Sequence, residues 1–246
     1  MAKKDNRIKY NLLSGITYQI ILTVLSFLLP RLYLENFGSE VNGVLSTIKQ
    51  IFVYMALLES GVGLATTQAL YKPVAEKNYE KVSSVISATN SYYCKIGFFY
   101  AAIVLVIATV YAFIVPTGIS SGVVFGIVVL TALPALFSYF VQAKYRILLE
   151  VDGRKYVITN SETILQILSN IGKILVLLLT DSLLLIQLVY CVLSLMQLVF
   201  VYAHAKSRYK WLKVNATPDY EAVSQRKSVL VHQASGMVFN NTDILL

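Results

Sequence analysis

The chain has 246 residues, of which 57% are hydrophobic and only 14% are charged, and its mean hydropathy is +0.65. A soluble domain of this size would carry charges at about 25% of its positions, so the composition excludes an ordinary soluble protein and indicates an integral membrane protein. The net charge of +8 is spread over alternate loops and not gathered on one face, which argues against a nucleic-acid partner.

Six apolar stretches are long enough to cross a membrane as helices, which need about 20 apolar residues each. They lie at residues 11–34, 41–70, 84–115, 121–143, 157–180 and 182–203, and a seventh begins near Val229. Uninterrupted apolar runs of this length are typical of helices and not of barrel strands. The sequence therefore predicts an all-α membrane protein with six complete transmembrane helices forming one bundle, plus the start of a seventh helix.

The loops divide the chain and suggest its orientation. We expect an N-terminal six-helix bundle over residues 1–204, a basic cytosolic linker over residues 205–226, and the truncated start of a second bundle over residues 227–246. The basic residues fall at the N-terminus and in every second loop, with four exceptions: Arg31, Lys49, Lys95 and Lys173. The positive-inside rule then places the N-terminus in the cytoplasm.

Polar side chains recur at helical spacing within three of the apolar stretches. On the fifth they are Glu162, Gln166, Ser169, Asn170 and Lys173, which share one face at about 100° per residue. On the third they are Ser84, Ser87, Ser91 and Lys95, with Asn90 beside them, and on the second Asn42, Ser46, Lys49 and Gln50. Each of the three helices therefore brings one lysine into the membrane.

A charge at the centre of a membrane helix costs from about 3 to more than about 10 kcal/mol unless it faces protein or water. Any single lysine could snorkel to the surface or pair with a carboxylate. Glu59 and Glu162 are the acids within the stretches, and two acids do not neutralise three lysines. We therefore predict a water-filled cationic cavity, and a phosphate or diphosphate is the natural ligand for its ammonium groups.

Signs of catalytic or metal chemistry are weak in this sequence. His204 and His232 are the two histidines and lack metal-ligand spacing, and there is no phosphate-binding loop or nucleophile motif. Cys94 and Cys191 lie within predicted helices, where they are best interpreted as small apolar residues. We predict no catalytic residue, no metal site and no cofactor.

Several short motifs, taken in order, resemble a known family. They are the helix end at Pro30-Arg31, "LENFGSEVNGV" at residues 34–44, "LLESGVG" at 57–63, "QAKYRILLEVDGRKYVITN" at 142–160 and "GMVFNNTDILL" at 236–246. Their order and spacing resemble the bacterial polysaccharide flippases, the Wzx-type lipid-linked oligosaccharide transporters of the multidrug/oligosaccharidyl-lipid/polysaccharide exporter superfamily. Glu59 stands where many relatives have Asp.

The resemblance implies a fold of two bundles around a central cationic cavity with alternating access, of which this chain supplies the first bundle. It implies a flippase in the bacterial cell (inner) membrane that moves an undecaprenyl-diphosphate-linked oligosaccharide outward for surface polysaccharide biosynthesis. Membrane lipids and other polysaccharide assembly proteins are the further partners. The candidate substrate-binding residues are Lys49, Lys95, Lys173, Gln50, Asn90, Gln166 and Asn170, and the candidate coupling or charge-balancing residues are Glu59 and Glu162.

Three other functions remain open at the level of sequence. A cation-coupled multidrug exporter of the same fold would need an acidic cavity, which three lysines disfavour. A membrane glycan polymerase or ligase would need a sizeable outer loop with functional charges. A purely structural membrane protein would keep the polar stripes in a dry bundle.

Overall fold

The chain is all-α throughout the part that the structure, a computed structural model, describes: residues 2–114, 118–180, 182–226, 228–233 and 235–236. Seven helices lie between residues 2 and 208, and no strand occurs among the described residues. The helices are α1 (Ala2–Met55), α2 (Leu57–Ala75), α3 (Tyr79–Phe113), α4 (Ser121–Val141), α5 (Ala143–Val151), α6 (Lys155–Leu179) and α7 (Leu183–Arg208). The predicted all-α class is confirmed.

Helix α1 consists of two arms that meet at Gly38. This residue has φ 79° and ψ 180°, a conformation that only glycine adopts readily, so the helix breaks there. The sequence predicts a loop between residues 34 and 41, and the structure reduces it to this one non-helical residue. We call residues 2–37 the first arm and residues 39–55 the second arm.

The first arm follows α6 along most of its length. Near its start, the rings of Tyr10 and Tyr156 lie 5.8 Å apart. Near its end, Phe37 packs against the small cluster formed by Val176, in the last turn of α6, and Ile186 of α7. The two helices therefore run side by side in the same direction.

Five segments are long and apolar enough to cross a membrane: Leu34–Ala75, Tyr79–Phe113, Ser121–Val141, Lys155–Leu179 and Leu183–Arg208. They agree with a multi-pass membrane protein. The predicted stretch 11–34, which forms most of the first arm, is not one of the five. Six complete crossings therefore remain a prediction.

Basic residues gather at one end of the bundle, which we call the basic end. Arg7 Nη1 donates to the backbone oxygen of Asp152 (2.6 Å), and Tyr209 donates its hydroxyl to Asp152 Oδ2 (3.0 Å). The rings of Tyr79 and Trp211 lie 4.3 Å apart. These contacts join the N-terminus, the α2–α3 turn, the α5–α6 turn and the segment after α7.

At the opposite end, the α3–α4 connection lies beside the break in α1. The carboxylate of Glu40 approaches Gly118 so closely that a Cβ there would lie 2.7 Å from its oxygens. A Cβ at Gly126 would lie only 2.5 Å from a methyl carbon of Leu184, so this glycine lets α4 and α7 approach each other. The first arm thus reaches from the basic end to the opposite end.

The segment after α7 packs against the bundle. Residues 209–226, which we call the linker, lie within the predicted linker 205–226, whose first four residues belong to α7 because this helix extends to Arg208. Val223 in the linker is completely buried in the same core cluster as Leu70, Ile86 and Leu148. Beyond the linker, residues 228–233 and 235–236 are helical, while the rest of the predicted helix start at 227–246 lies outside the described residues.

Candidate ligand cavity

A cavity of about 650 Å³ lies between the helices, and all seven helices contribute to its wall. Four charged side chains line it: Lys49 from the second arm of α1, Glu59 from α2, Arg146 from α5 and Glu162 from α6. The other lining residues include several tyrosines and uncharged polar side chains: Tyr18, Tyr100, Thr131, Ser138, Tyr139, Gln142, Gln166, Tyr190, Ser194 and Gln197.

The cavity lies well inside the bundle. On α6, its lining residues Glu162 and Gln166 lie roughly 10–17 Å from the helix start at 1.5 Å per residue. On α7, Tyr190 and Gln197 lie roughly 10–21 Å from the start of a helix about 39 Å long. A ligand here would be far from either end of the bundle.

Arg146 is the cationic residue that sequence reasoning missed. It was assigned to a charged loop after the fourth helix, but α5 continues almost directly from α4 and carries Arg146 to the cavity wall. Its Nη2 lies 2.5 Å from Glu162 Oε1, forming an ion pair between α5 and α6. The available signal was the spacing of Ser138, Gln142 and Arg146, which share one face if residues 121–151 are read as a single helix.

Two ammonium groups in this region lack a carboxylate partner. Within the described part of the chain, neither Lys49 nor Lys173 forms an ion pair or a hydrogen bond through its side chain. Lys173 Nζ lies 5.3 Å from the ring centroid of Tyr190, a cavity-lining residue, and the charges of Lys173 and Lys49 repel each other. Lys49 thus lines the cavity, and Lys173 lies beside its wall next to Tyr190.

The acids only partly balance these cations. Glu162 is bound to Arg146, and Glu59 has no ion pair among the described residues, although the charge of Arg146 attracts it. Lys49, Lys173 and Arg146 thus face two carboxylates. With every group ionised, the region carries one positive charge in excess.

The structure does not bring Lys95 to this cavity. Its side chain is exposed on α3, and Nζ lies 5.8 Å from the ring centroid of Tyr92. Asn90, the neighbouring candidate, accepts a hydrogen bond from Lys144 Nζ (2.7 Å). Helix α3 contributes Tyr100 to the cavity instead.

The serine stripe of α3 is covered by the linker. Ser87 donates its hydroxyl to the backbone oxygen of Ala216 (2.6 Å), and the backbone oxygen of Ser84 accepts from Asp219 N–H (3.1 Å). These polar groups satisfy the backbone of an irregular segment, which needs partners once it is buried. The stripe therefore serves packing along the part of α3 nearest the basic end.

The remaining predicted residues lie on or near the cavity wall. Gln166 lines the cavity, and its backbone oxygen accepts a hydrogen bond from Asn170 Nδ2 (2.6 Å). Asn170 Oδ1 and Gln50 Nε2 are buried without a hydrogen-bond partner among the described residues.

No family model, curated protein sequence or solved structure significantly matches this chain. Within the described ranges, no group of three His, Cys, Asp or Glu residues is placed to hold a metal ion. What the cavity can do chemically follows from its own side chains, which are an arginine, one unpaired lysine, two carboxylates and a wall rich in tyrosine, with Lys173 beside the wall residue Tyr190.

Proposed function

We propose that this chain is the N-terminal part of a flippase that moves a polyprenyl-diphosphate-linked oligosaccharide across the bacterial cell membrane. One observation carries the proposal: Lys49 on the cavity wall and Lys173 beside the wall residue Tyr190 lie within candidate membrane spans, and neither has a carboxylate partner among the described residues. Unpaired charges in such a place are costly, so they usually serve ions or substrates. A diphosphate supplies the negative charge that these two ammonium groups lack.

Arg146 extends this anion site on the far wall of the cavity. A guanidinium group binds phosphate oxygens in a bidentate manner, whereas the lysines act as point charges. Glu162 pairs with Arg146 and holds it at the cavity wall. In the proposed mechanism the diphosphate competes with Glu162 for Arg146, while Lys49 and Lys173 bind its remaining oxygens.

The sugar portion would occupy the uncharged part of the wall. Gln166, Gln197 and Ser194 line the cavity and offer hydrogen-bond donors and acceptors to sugar hydroxyls. Tyr100, Tyr139 and Tyr190 supply ring faces beside them. A wall of this kind fits a neutral oligosaccharide next to a diphosphate.

We also propose that the first arm of α1 crosses the membrane, which gives six crossings with the N-terminus in the cytoplasm. From Tyr10 to Phe37 the arm spans roughly 40 Å at 1.5 Å per residue, more than the hydrocarbon core of about 30 Å. It runs beside α6, a segment apolar enough to span. The basic end would face the cytoplasm, as the positive-inside rule requires.

Transport would follow from movement of this bundle against a second bundle. Alternating access in transporters is largely a rigid-body rocking of two bundles around a fixed central site. The helix that begins after the linker would lead into the second bundle. Opening on either side would then expose the cavity to each leaflet in turn.

The test is a set of single substitutions in the full-length protein, produced in the native bacterium in place of the chromosomal copy. We expect Lys49→Ala and Lys173→Ala to abolish surface glycan, and Lys49→Arg to retain part of it because the charge remains. Lys210→Ala, an exposed lysine in the linker, is the matched control and should leave the glycan unchanged. Membrane levels of each variant are measured by immunoblot.

The variant Lys95→Ala tests whether the substrate site contains Lys95 in addition to Lys49 and Lys173. We expect normal surface glycan in this variant, because Lys95 does not line the cavity. If Lys49→Ala and Lys173→Ala cells, with wild-type levels of the protein, keep their glycan, the flippase proposal is wrong. If only Lys95→Ala loses it, the substrate site lies on the other face of α3.

A cation-coupled drug exporter is the second candidate, and Glu59 favours it. This carboxylate lines the cavity without an ion pair among the described residues, beside several aromatic rings that suit an organic cation. For that function, Glu59→Gln should raise drug sensitivity in the native host, and Lys49→Ala should not. For a flippase, Lys49→Ala should reduce surface glycan more than Glu59→Gln does.

A further inference from the structure

A second cavity lies at the basic end, apart from the central one. Its volume is about 290 Å³, and four separate parts of the chain form its wall: the start of α1, the α2–α3 turn, the α5–α6 turn and the segment after α7. We call it the basic-end pocket. Its charged lining residues are Arg7, Lys77, Asp152 and Arg208.

The negative charge of the single acid in this pocket is already compensated. Asp152 pairs with Arg7 (3.3 Å) and with Arg154 (2.8 Å), and it accepts a hydrogen bond from the Tyr209 hydroxyl (3.0 Å). Burial, followed by the nearby charge of Asp152, raises the pKa of Tyr209, so this phenol remains a neutral donor. Asp152 therefore has little capacity left to attract further cations.

Lys77 and Arg208 are surplus positive charges. Neither forms an ion pair with any residue in the described part of the chain. Glu76, the residue before Lys77, pairs with Lys72 instead. The lining of the pocket therefore holds three cations and one carboxylate.

The backbone at Lys77 shows that the turn does not require a lysine. Lys77 has φ 56°, a left-handed conformation that glycine adopts at lower cost. Its N–H bonds to the backbone oxygen of Val74 (3.2 Å), closing the C-terminus of α2. The turn itself would be better served by glycine, so the side chain of Lys77 can be removed without straining the backbone, and its ammonium group lines the pocket.

The aromatic pair in the wall indicates the level of the pocket relative to the membrane. Tyr79 and Trp211 both line it, with ring centroids 4.3 Å apart. Tryptophan and tyrosine concentrate at the membrane–water interface, where lipid headgroups lie. Helix α3, a candidate membrane span, begins at Tyr79, which is consistent with this level.

We propose that the basic-end pocket is a binding site for a phosphate group at the membrane surface, held by Lys77, Arg208 and Arg7. The phosphate belongs either to the headgroup of an anionic phospholipid or to a soluble phosphate compound. In both cases the chemistry is the same: two free cations and a partly free guanidinium around one anionic group. The site is distinct from the central cavity and does not depend on the proposed transport.

Trp211 is the only tryptophan of the chain and lies in the pocket wall, so its fluorescence reports on this site. The purified chain in dodecyl maltoside micelles is titrated with dioctanoyl phosphatidylglycerol, dioctanoyl phosphatidylcholine and inorganic phosphate in separate arms. We expect a saturable change in emission with phosphatidylglycerol or phosphate and not with the zwitterionic lipid. A lipid site responds to phosphatidylglycerol without competition from phosphate, whereas a site for a soluble compound saturates with phosphate alone.

Two pocket variants and one control complete the design. Lys77→Gly removes the ammonium group and suits the left-handed turn, and Arg208→Gln removes the second cation. Each should weaken binding about fivefold, the effect of one basic residue near a charged surface. Lys206→Gln lowers the charge of the same end outside the pocket and should bind as the wild type does.

The proposal is overturned if neither anion gives a saturable change in emission. It is also overturned if phosphatidylcholine acts like phosphatidylglycerol, or if Lys206→Gln weakens binding as much as Lys77→Gly does. Circular dichroism of each variant shows whether the helices are intact, and Lys77→Gly is expected to retain them fully.

Discussion

Arg146 shows how one residue changes the chemistry of the cavity. In isolation the sequence around it reads as a charged loop, and only the near-continuity of α4 and α5 carries its guanidinium to the wall. The partner, Glu162, belongs to a different helix. The pair is partly exposed, with 38% and 26% of the two side chains accessible, so its strength lies between that of surface and buried ion pairs.

Breaking this pair should cost stability. Arg146→Gln leaves Glu162 with an uncompensated charge in the bundle, and we expect the free energy of unfolding to fall by about 1–3 kcal/mol. Thermal unfolding in detergent measures this loss. The charge-swapped double variant, Arg146→Glu with Glu162→Arg, should recover most of the stability but not the transport of a diphosphate-linked substrate. Full transport by the swapped protein would mean that Arg146 is a structural residue only.

Asp219 links the linker to α3 through a second ion pair, with Lys81. The hydrogen bond from Lys81, supported by the N–H of Ala222 (3.1 Å), holds the pKa of the Asp219 carboxyl below its ordinary value of 3.8. A carboxylate with a lowered pKa contributes stability above its unfolded-state pKa and loses that contribution as the pH falls through the folded-state value. Docking of the linker should therefore weaken below about pH 4.

The emission of Trp211, which stacks on Tyr79, follows this change. A titration from pH 6 to pH 2.5 should show a transition below pH 3.8 in the wild-type chain. In Asp219→Asn, which has no charge to lose, that transition should be absent. Identical titrations of the two proteins would show that Asp219 does not control the docking.

At the scale of elements, α3 illustrates why a polar stripe does not identify its own partner. Helical periodicity places Ser84, Ser87, Ser91 and Lys95 on one side of α3. Whether that side meets water, a ligand or another segment depends on what packs there. In this protein the linker covers its first half.

A pair of serine variants measures that docking. Ser87→Ala removes the donor to the backbone oxygen of Ala216 and leaves a partly buried carbonyl without this partner, which costs about 1–2 kcal/mol. Trypsin cleavage after Lys210 and Lys213 should then accelerate about 5- to 30-fold, if cleavage follows local opening.

Ser91→Ala is the matched control for this experiment. Its hydroxyl donates to the backbone oxygen of Ser87 within the same helix and does not touch the linker. Its cleavage rate should stay at the wild-type value. Equal acceleration in both variants would indicate a general loosening of α3 and not a specific contact.

The two arms of α1 show the opposite case, in which a local signal is sufficient. The motif "ENFGSE" marks an interruption between two apolar stretches, and its glycine is the residue that adopts the left-handed conformation. The position of the break could therefore be predicted to within a few residues. The length of the break could not be predicted, because a loop and a single-residue break have the same sequence signature.

At the scale of the whole molecule, the central question is whether the first arm crosses the membrane. In a chain with Cys94→Ala and Cys191→Ala, a cysteine at Asn6 lies near the basic end and one at Asn36 near the opposite end. We expect a membrane-impermeant maleimide to label Asn36→Cys on intact cells, and Asn6→Cys only after the cells are permeabilised.

We expect this difference because the first arm runs beside α6 from Tyr10 to Phe37. A cysteine at Ser207, in the last turn of α7, serves as the reference for the basic end and should behave as Asn6→Cys does. Labelling of Asn6→Cys and Asn36→Cys under the same condition would show that the arm does not cross.

The sequence by itself determined the class of the protein, because the need for long apolar helices is a local requirement. Each backbone group in hydrocarbon must be satisfied within its own helix, and each span must match the bilayer thickness. The clustering of the basic loops at one end follows from the alternation of such spans. These features can be read without knowing how any two helices pack.

Only the tertiary structure decided which charges meet. Arg146 and Glu162 lie on different helices, Lys49 and Lys173 come together from α1 and α6, and Lys95 faces away from them. The rotation of each helix about its axis is set by packing against all its neighbours at once, through contacts such as Leu184 on Gly126. Periodicity fixes which side chains share a face, and packing decides what that face contacts.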